Sequence, residues 1–239
     1  MEDILIQTGQ ELDDPGRVAA LDATGLLDSP PEEGFDVFTR LVCQTLGCRL
    51  SLISLVESHR QFFKSTCGLP SDQSDFRETP ISHSFCQHVV KGGRALCITD
   101  ARNDDRVMNN PAIKDYNVIA YLGVPILTED RYVLGSLCAI EGKPREWTPE
   151  EVNAMEVMAM ALGNEIRLRA MTMRLREQVE QMEEIEKQRD EMLHILVHDL
   201  RNPISAVLGC LSLLKDSEDP IEVKEELFET AEQAGGATI

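Results

Sequence analysis

Leu50-Ser51-Leu52-Ile53-Ser54-Leu55-Val56 holds five large apolar residues, two serines and no charge. A run this short does not make a helix of ordinary length, and it is too apolar for a strand with one wet face. It reads as a central strand buried on both faces. Working outward, His59-Arg60 sits in a turn and Gln61-Phe62-Phe63-Lys64-Ser65 returns as a second strand. Residues Val118 to Ile126 and Arg131 to Ile140 form another strand pair across the turn Thr128-Glu129-Asp130, and Ala95-Leu96-Cys97-Ile98-Thr99 is a short strand ending at Asp100. Gly68 to Thr79 is a long polar loop. The expected core is a mainly antiparallel sheet of five to six strands.

Helices flank that sheet in the sequence. Arg17-Val18-Ala19-Ala20-Leu21 reads as a short helix stopped near Gly25. Ser29-Pro30-Pro31-Glu32-Glu33 is a helix start, with prolines and then acids in the first turn. Phe35, Phe38, Leu41, Val42 and Leu46 mark one face of that helix, and Gly47 ends it. Ser82 or Ser84 caps a helix running to Val90, closed by Gly92-Gly93, and Asp104 to Lys114 is loop and short helix. Thr148-Pro149-Glu150-Glu151 opens a further helix. The fold class is α+β.

From Thr148 the helical pattern continues without a break. Leu168, Met171, Leu175, Gln178, Met182, Ile185, Arg189, Met192 and Leu196 recur at alternating spacings of three and four. This is an a/d seam, with Gln178 and Arg189 as polar interruptions that fix register. A lone helix would expose such a stripe, so the seam predicts a parallel homodimer. Leu193, Leu196, Val197, Leu200, Ile204 and Val207 continue as an apolar face that the spacing predicts to be buried. His198 lies at its edge beside Asp199. A neutral imidazole is a nucleophile near neutral pH, and an adjacent carboxylate can hold one ring nitrogen protonated and leave the other free. Pro203 has no N–H to donate, so the helix is expected to bend or loosen within a turn of His198. His194 and His198, four apart, present a second reading as a shared metal site, but no Glu or Cys completes it nearby, and no metal is expected.

The chain has 239 residues, 42% hydrophobic, with a net charge of −19. Such acidity argues against nucleic acid or an anionic membrane as partner. Seven cysteines, with no C-x-x-C pair, and an acidic start at Met1-Glu2-Asp3 without a secretory pattern favour reduced thiols and a cytoplasmic location. No uncharged apolar run approaches the ~20 residues of a membrane helix.

Two resemblances follow from these residues. The order His198-Asp199-Leu200-Arg201-Asn202-Pro203 resembles the H-box of the sensor histidine kinases at all six positions. The phrases Gln61-Phe62-Phe63-Lys64-Ser65, Ser84-Phe85-Cys86, Thr99-Asp100-Ala101-Arg102, Asn109-Asn110-Pro111, Tyr121-Leu122-Gly123-Val124-Pro125-Ile126 and Gly135-Ser136-Leu137-Cys138 resemble a GAF domain. The implied organisation is a lead-in at 1–13, a GAF sensor domain at 14–168, a coiled-coil signalling helix at 169–191, and a dimerisation and phosphoacceptor domain at 192–239. In the last, the H-box helix and a second helix opening at Ile221 form a hairpin, two of which make a dimeric four-helix bundle.

The H-box resemblance implies that His198 accepts phosphate from ATP and passes it to an aspartate of a response-regulator receiver domain. It implies that Asp199 assists as base or orienter, and that Asn202 positions water for the reverse reaction. The family's ATP-binding domain, which holds ATP and Mg²⁺, follows the second bundle helix and is not found before Ile239. The chain alone is therefore expected to be inactive, with that domain supplied in cis in a longer chain or in trans. No cofactor is expected within the chain itself.

The GAF resemblance implies a regulatory pocket between the sheet and the loops from Phe63 to Asn117. Its ligand is unknown, and the polar candidates are Arg77, His83, Ser84, His88, Asp100, Arg102 and Asn110. Cys86 invites comparison with bilin-binding GAF domains, where His directly follows Cys; here Gln87 intervenes. Cys86 and Cys97 are also candidates for a redox sensor, against the preferred reading of each as a small buried apolar side chain. The rival class is a non-enzymatic GAF dimer that presents an interaction surface, with His198 inert.

Overall fold

The computed structural model describes residues 9–69 and 76–216. The elements are α1 (Pro15–Asp22), α2 (Glu33–Leu46), β1 (Leu50–Val56), β2 (Arg60–Cys67), β3 (Glu78–Pro80), α3 (Cys86–Gly92), β4 (Leu96–Ile98), α4 (Ala112–Asp115), β5 (Ala120–Leu127), β6 (Val133–Glu141) and α5 (Pro149–Asp216). The chain divides into two compact units, Met1–Met173 and Arg174–Ile239.

The first unit is built on a six-stranded antiparallel sheet in the order β3-β2-β1-β6-β5-β4. β1 and β6 lie at its centre, and every residue of both is buried. That two-sided burial is why Leu50–Val56 carries no charge and only two small hydroxyls. Alternation sends Leu50, Leu52 and Val56 into one apolar cluster with α3 and α4, and Ile53 and Leu55 into a second with α1, α2 and the start of α5. β1 and β6 also approach too closely for a side chain at Gly135, where a Cβ would fall 1.9 Å from the Ser54 carbonyl oxygen.

A bulge in the β1–β2 pairing skips Lys64, since Ile53 faces Ser65 and Ser54 faces Phe63. The extra residue turns Lys64 and Ser65 to the α2 side, while Phe63 stays on the opposite face. The Lys64 ammonium is fully buried there. It donates to Ser29 Oγ, the Pro30 carbonyl and Glu32 Oε1 at 2.6–2.7 Å, and lies 5.1 Å from the centre of the Phe35 ring. Glu32 in turn accepts from Arg169 of α5 at 2.8 Å, and Arg169 donates to the Thr24 carbonyl. A buried cation is thus compensated by three oxygens, one of them from a partner carboxylate.

Two sequence expectations change in this unit. The lead-in, whose acidic and weakly patterned sequence predicts a loose segment, is tied down where it is described. Leu12 is buried, Gln10 accepts from Val133 N and donates to the Arg131 carbonyl, and the buried Arg17 guanidinium donates to the carbonyls of Leu12 and Val56. One apolar side chain and one amide suffice to tie down a stretch whose composition is acidic. Leu41 is 41% exposed, because α2 buries only the stripe Phe35, Thr39, Val42 and Leu46.

α5 begins with a reciprocal cap: Thr148 Oγ1 accepts from Glu151 N and Glu151 Oε2 accepts from Thr148 N. Met155, Ala159, Leu162 and Ile166 pack on the sheet at helical spacing. In the second unit the same helix continues through Pro203, which removes one hydrogen bond without ending the helix. The expected buried face is exposed in this single chain: Met182 and Ile185 are each 66% exposed, and Leu193, Leu196, Val197, Leu200, Ile204 and Val207 are exposed as well. A lone helix has nothing to lay that face against. The second hairpin helix expected from Ile221 lies outside the described residues. Among the described residues, no helix is long and apolar enough to cross a membrane.

Candidate functional site

Two features carry chemistry, one in each unit. The first is a cavity of about 290 Å³ between the sheet and the connections around α3 and α4. Its floor is Leu50 and Leu52 of β1, Gln61 and Phe63 of β2, Tyr121 of β5 and Ile140 of β6. These side chains converge because alternation aims them at one face of three adjacent antiparallel pairs. Phe76 and Tyr116 stack at the mouth with centroids 5.4 Å apart, and His83 lies 5.7 Å from the Tyr116 ring with Nε2 3.1 Å from Asp115 Oδ2.

The polar groups beside the floor are internally satisfied. Gln61 Oε1 accepts from Ser54 and Ser84 hydroxyls, and its amide nitrogen donates to Thr79 Oγ1 at 2.7 Å. Tyr121 donates to Cys86 Sγ at 3.3 Å and lies 3.2 Å from Ser136 Oγ. The Cys138 thiol, with the hydroxyls of Tyr121, Ser54 and Ser136 and against burial, lowers the Cys86 thiol to about 7; burial pushes the Tyr121 phenol well up.

Of the residues singled out from sequence, Cys86 and His83 line this cavity; Arg77, Ser84, His88, Asp100, Arg102 and Asn110 do not. All but His88 have partners elsewhere. Arg77 donates to the Ser29 carbonyl at 2.8 Å and stacks 4.8 Å over the Phe62 ring, on the α2 side of the sheet. Ser84 caps α3 by accepting from Gln87 N. Burial, then Lys91 and Arg106, lowers the His88 pKa. Asp100 pairs with Arg102, whose guanidinium holds it below the usual carboxylate range. Asn110 accepts from Ala112 N at the start of α4. Short polar residues in loops are used for caps, and composition alone does not separate caps from ligand contacts. Gln61, Thr79 and Tyr121 were missed, although Gln61 and Phe63, two apart on one strand, already shared a face in the sequence.

Gln87 donates to the carbonyls of Ile81 and Ser84, so it serves the backbone beside Cys86. Cys97 is exposed on β4, whereas the groups facing the buried Cys86 are Tyr121, Cys138, Ser54 and Ser136. Cys86 and Cys97 are therefore not brought together: Cys86 is the small buried side chain expected, and Cys97 is not.

The second feature is on α5. His198 Nδ1 lies 3.3 Å from Asp199 Oδ1, and both side chains are 68% exposed. With Nδ1 turned to the carboxylate, Nε2 is the nitrogen left for an incoming group. Asn202 and His194 are also exposed on this helix. Among the described residues, no group of three His, Cys, Asp or Glu side chains is arranged to hold a metal ion.

The family model of the GAF domain matches residues 30–166, more than half the chain. The chain belongs to the GAF domain family. The model of the His Kinase A (phospho-acceptor) domain matches residues 188–236, so the GAF domain is followed by a region of that type containing His198.

Among curated proteins, the chain is 32% identical over 134 residues to a cyclic di-GMP phosphodiesterase of Pseudomonas aeruginosa, covering 56% of this chain and 22% of that protein. It is 27% identical over 141 residues to the circadian input-output histidine kinase of Thermosynechococcus vestitus, covering 50% of this chain and 19% of that one. The chain thus spans about a fifth of the length of these curated relatives. The GAF domain of an Acinetobacter phosphoenolpyruvate-protein phosphotransferase aligns over 64% of this chain and 92% of its own, with 15% identity and a TM-score of 0.49.

Proposed function

We propose that this chain is the sensing and phosphoacceptor part of a cytoplasmic two-component sensor histidine kinase. The observation that carries the reading is the exposed His198–Asp199 pair, on a helix, within the region matched to the His Kinase A domain. Asp199 accepts from Nδ1–H and keeps Nε2 unprotonated. The Nε2 lone pair attacks the γ-phosphorus of ATP, the bond to the bridging oxygen breaks, and ADP leaves. ATP and its Mg²⁺ are held by the family's ATP-binding domain, in cis or in trans. A receiver-domain aspartate then attacks the phosphorus and His198 leaves. Asn202, one turn on, is placed to orient water for dephosphorylation.

The exposed seam from Leu168 to Leu196 supports a parallel homodimer, because only a second copy offers a matching stripe of the same period. The cavity under Phe76 and Tyr116 is the signal-receiving site of this reading. The phosphodiesterase relative supports the rival, a GAF module serving another output, since its matched region belongs to a protein of different activity.

The two readings separate in one reaction. The chain is incubated with a histidine kinase ATP-binding domain and Mg²⁺-ATP, digested with trypsin and mapped for acid-labile phosphate. The kinase reading expects phosphohistidine in the peptide Asp190–Arg201. Phosphate confined to the added domain would leave the interaction-module reading.

A further inference from the structure

The Gly47 turn brings together two thiols that neither the cavity nor the phosphoacceptor helix uses. α2 ends at Leu46, Gly47 takes φ 61, and the chain turns back so that Cys48 Sγ lies 4.0 Å from Cys43 Sγ. A third cysteine is adjacent, with the Cys67 carbonyl 3.6 Å from Cys43 Sγ. Arg145 donates to the Leu46 carbonyl at 2.5 Å, which sets a guanidinium beside the same turn. Cys43 is half-buried and Cys48 buried, so access is from the Cys43 side.

We propose that Cys43 and Cys48 are a thiol pair that small hydroperoxides convert to a disulfide. The sulfurs need to approach by about 2 Å to reach bonding distance. The Cys43 thiol, against burial and Glu141 and together with Arg145, lowers the Cys48 pKa, while the Cys43 thiol is pushed up by Cys48 and by burial. This divides the roles. Cys48 is the more readily ionised thiol; protonated, it donates to Cys43 Sγ or to the Leu50 carbonyl at 3.5 Å. Cys43 is the resolving thiol.

The chemistry balances with the peroxide as oxidant. The Cys48 thiolate attacks the terminal peroxide oxygen, the O–O bond breaks, and the leaving oxygen takes a proton and departs as water from hydrogen peroxide or as the alcohol from an organic hydroperoxide, giving Cys48 sulfenic acid. Cys43 sulfur then attacks Cys48 sulfur; the S–O bond breaks, and the hydroxyl leaves with the Cys43 proton as water. Two thiols supply the two electrons that reduce one peroxide.

Cys97 is an internal reference, being exposed but with its thiol pushed up by burial of the sulfur's surroundings. The full chain is reduced, desalted and treated with hydrogen peroxide for increasing times. It is then blocked with N-ethylmaleimide and digested without reductant. Trypsin cuts after Arg40 and Arg49, so Cys43 and Cys48 leave in one peptide. The expected product is that peptide, unlabelled and lighter by two hydrogens, appearing about tenfold faster than oxidation at Cys97, because thiolate character outweighs exposure. In Cys43→Ser, dimedone should trap the sulfenic acid at Cys48. A doubly labelled Leu41–Arg49 peptide when Cys97 is already oxidised would overturn the proposal. So would a Cys43–Cys67 crosslink in place of the internal disulfide; both are read on the unsubstituted chain.

Discussion

The GAF sheet and the Arg174–Asp216 part of α5 use the same apolar residues to opposite effect. Leu134 and Leu137 on β6 are fully buried, whereas Leu175 and Leu200 on α5 are 62% and 60% exposed. The sheet closes its core by itself, with α1, α2 and the start of α5 on one face and α3 and α4 on the other. The helix repeats an equally regular pattern, and among the described residues nothing in its own unit covers it. Periodicity therefore announces a face but not what meets it. In the sheet the answer lies within the chain; in the helix the proposed answer is a second copy.

Substitutions should split the two regions accordingly. The largest effect is expected from Met182→Glu with Ile185→Glu. Two carboxylates in an apolar seam cost several kcal/mol together, enough to turn a dimer into a monomer in sedimentation, with GAF-domain unfolding unchanged. A dimer that survives would move the main interface off α5. Leu134→Ala, at a fully buried site, should cost about 2–5 kcal/mol in denaturant unfolding of the GAF domain and leave the dimer intact.

Arg169→Ala should cost about 1 kcal/mol, since it removes one of two cations from Glu32. This site also has a pH signature. Burial opposes ionisation of Glu32, but Arg169 and Lys64 outweigh it and lower its pKa. A lowered folded value stabilises the fold above the unfolded value near 4.5, and that contribution is lost as pH falls through the folded value. Glu32→Gln should flatten this acid limb of the stability curve; an unchanged limb would assign acid sensitivity elsewhere. The smallest effect is expected from Leu41→Ser on the exposed side of α2, within about 0.5 kcal/mol.

Much of the fold was legible because the sheet obeys local rules. The run Leu50–Val56 could only be a central strand, Gly47 and Gly93 end their helices in the left-handed conformation, and Thr148-Pro149-Glu150-Glu151 is a reciprocal cap. The cavity was legible in place but not in detail. Arg77, just before β3, turns to the Ser29 carbonyl and the Phe62 ring on the α2 side, and no local signal marks that choice. Ser84 caps a helix as its place in the sequence predicts, whereas Asn110 serves the start of α4, which the reading of Asp104 to Lys114 left undivided. The Cys43–Cys48 approach depends on the turn at Gly47, which brings a residue five positions on back toward the helix. His198, by contrast, needed no tertiary contact to be found, because its partner is the next residue.

The account rests on His198 as the nitrogen that takes phosphate, and His194 on the same helix is the direct control. Both histidines are replaced by Gln in turn, and each variant is given a histidine kinase ATP-binding domain with ATP labelled at the γ-phosphate. The account predicts label on the unsubstituted chain and on His194→Gln, and none on His198→Gln, with all three equally dimeric and helical. Label retained in His198→Gln and lost in His194→Gln would contradict it.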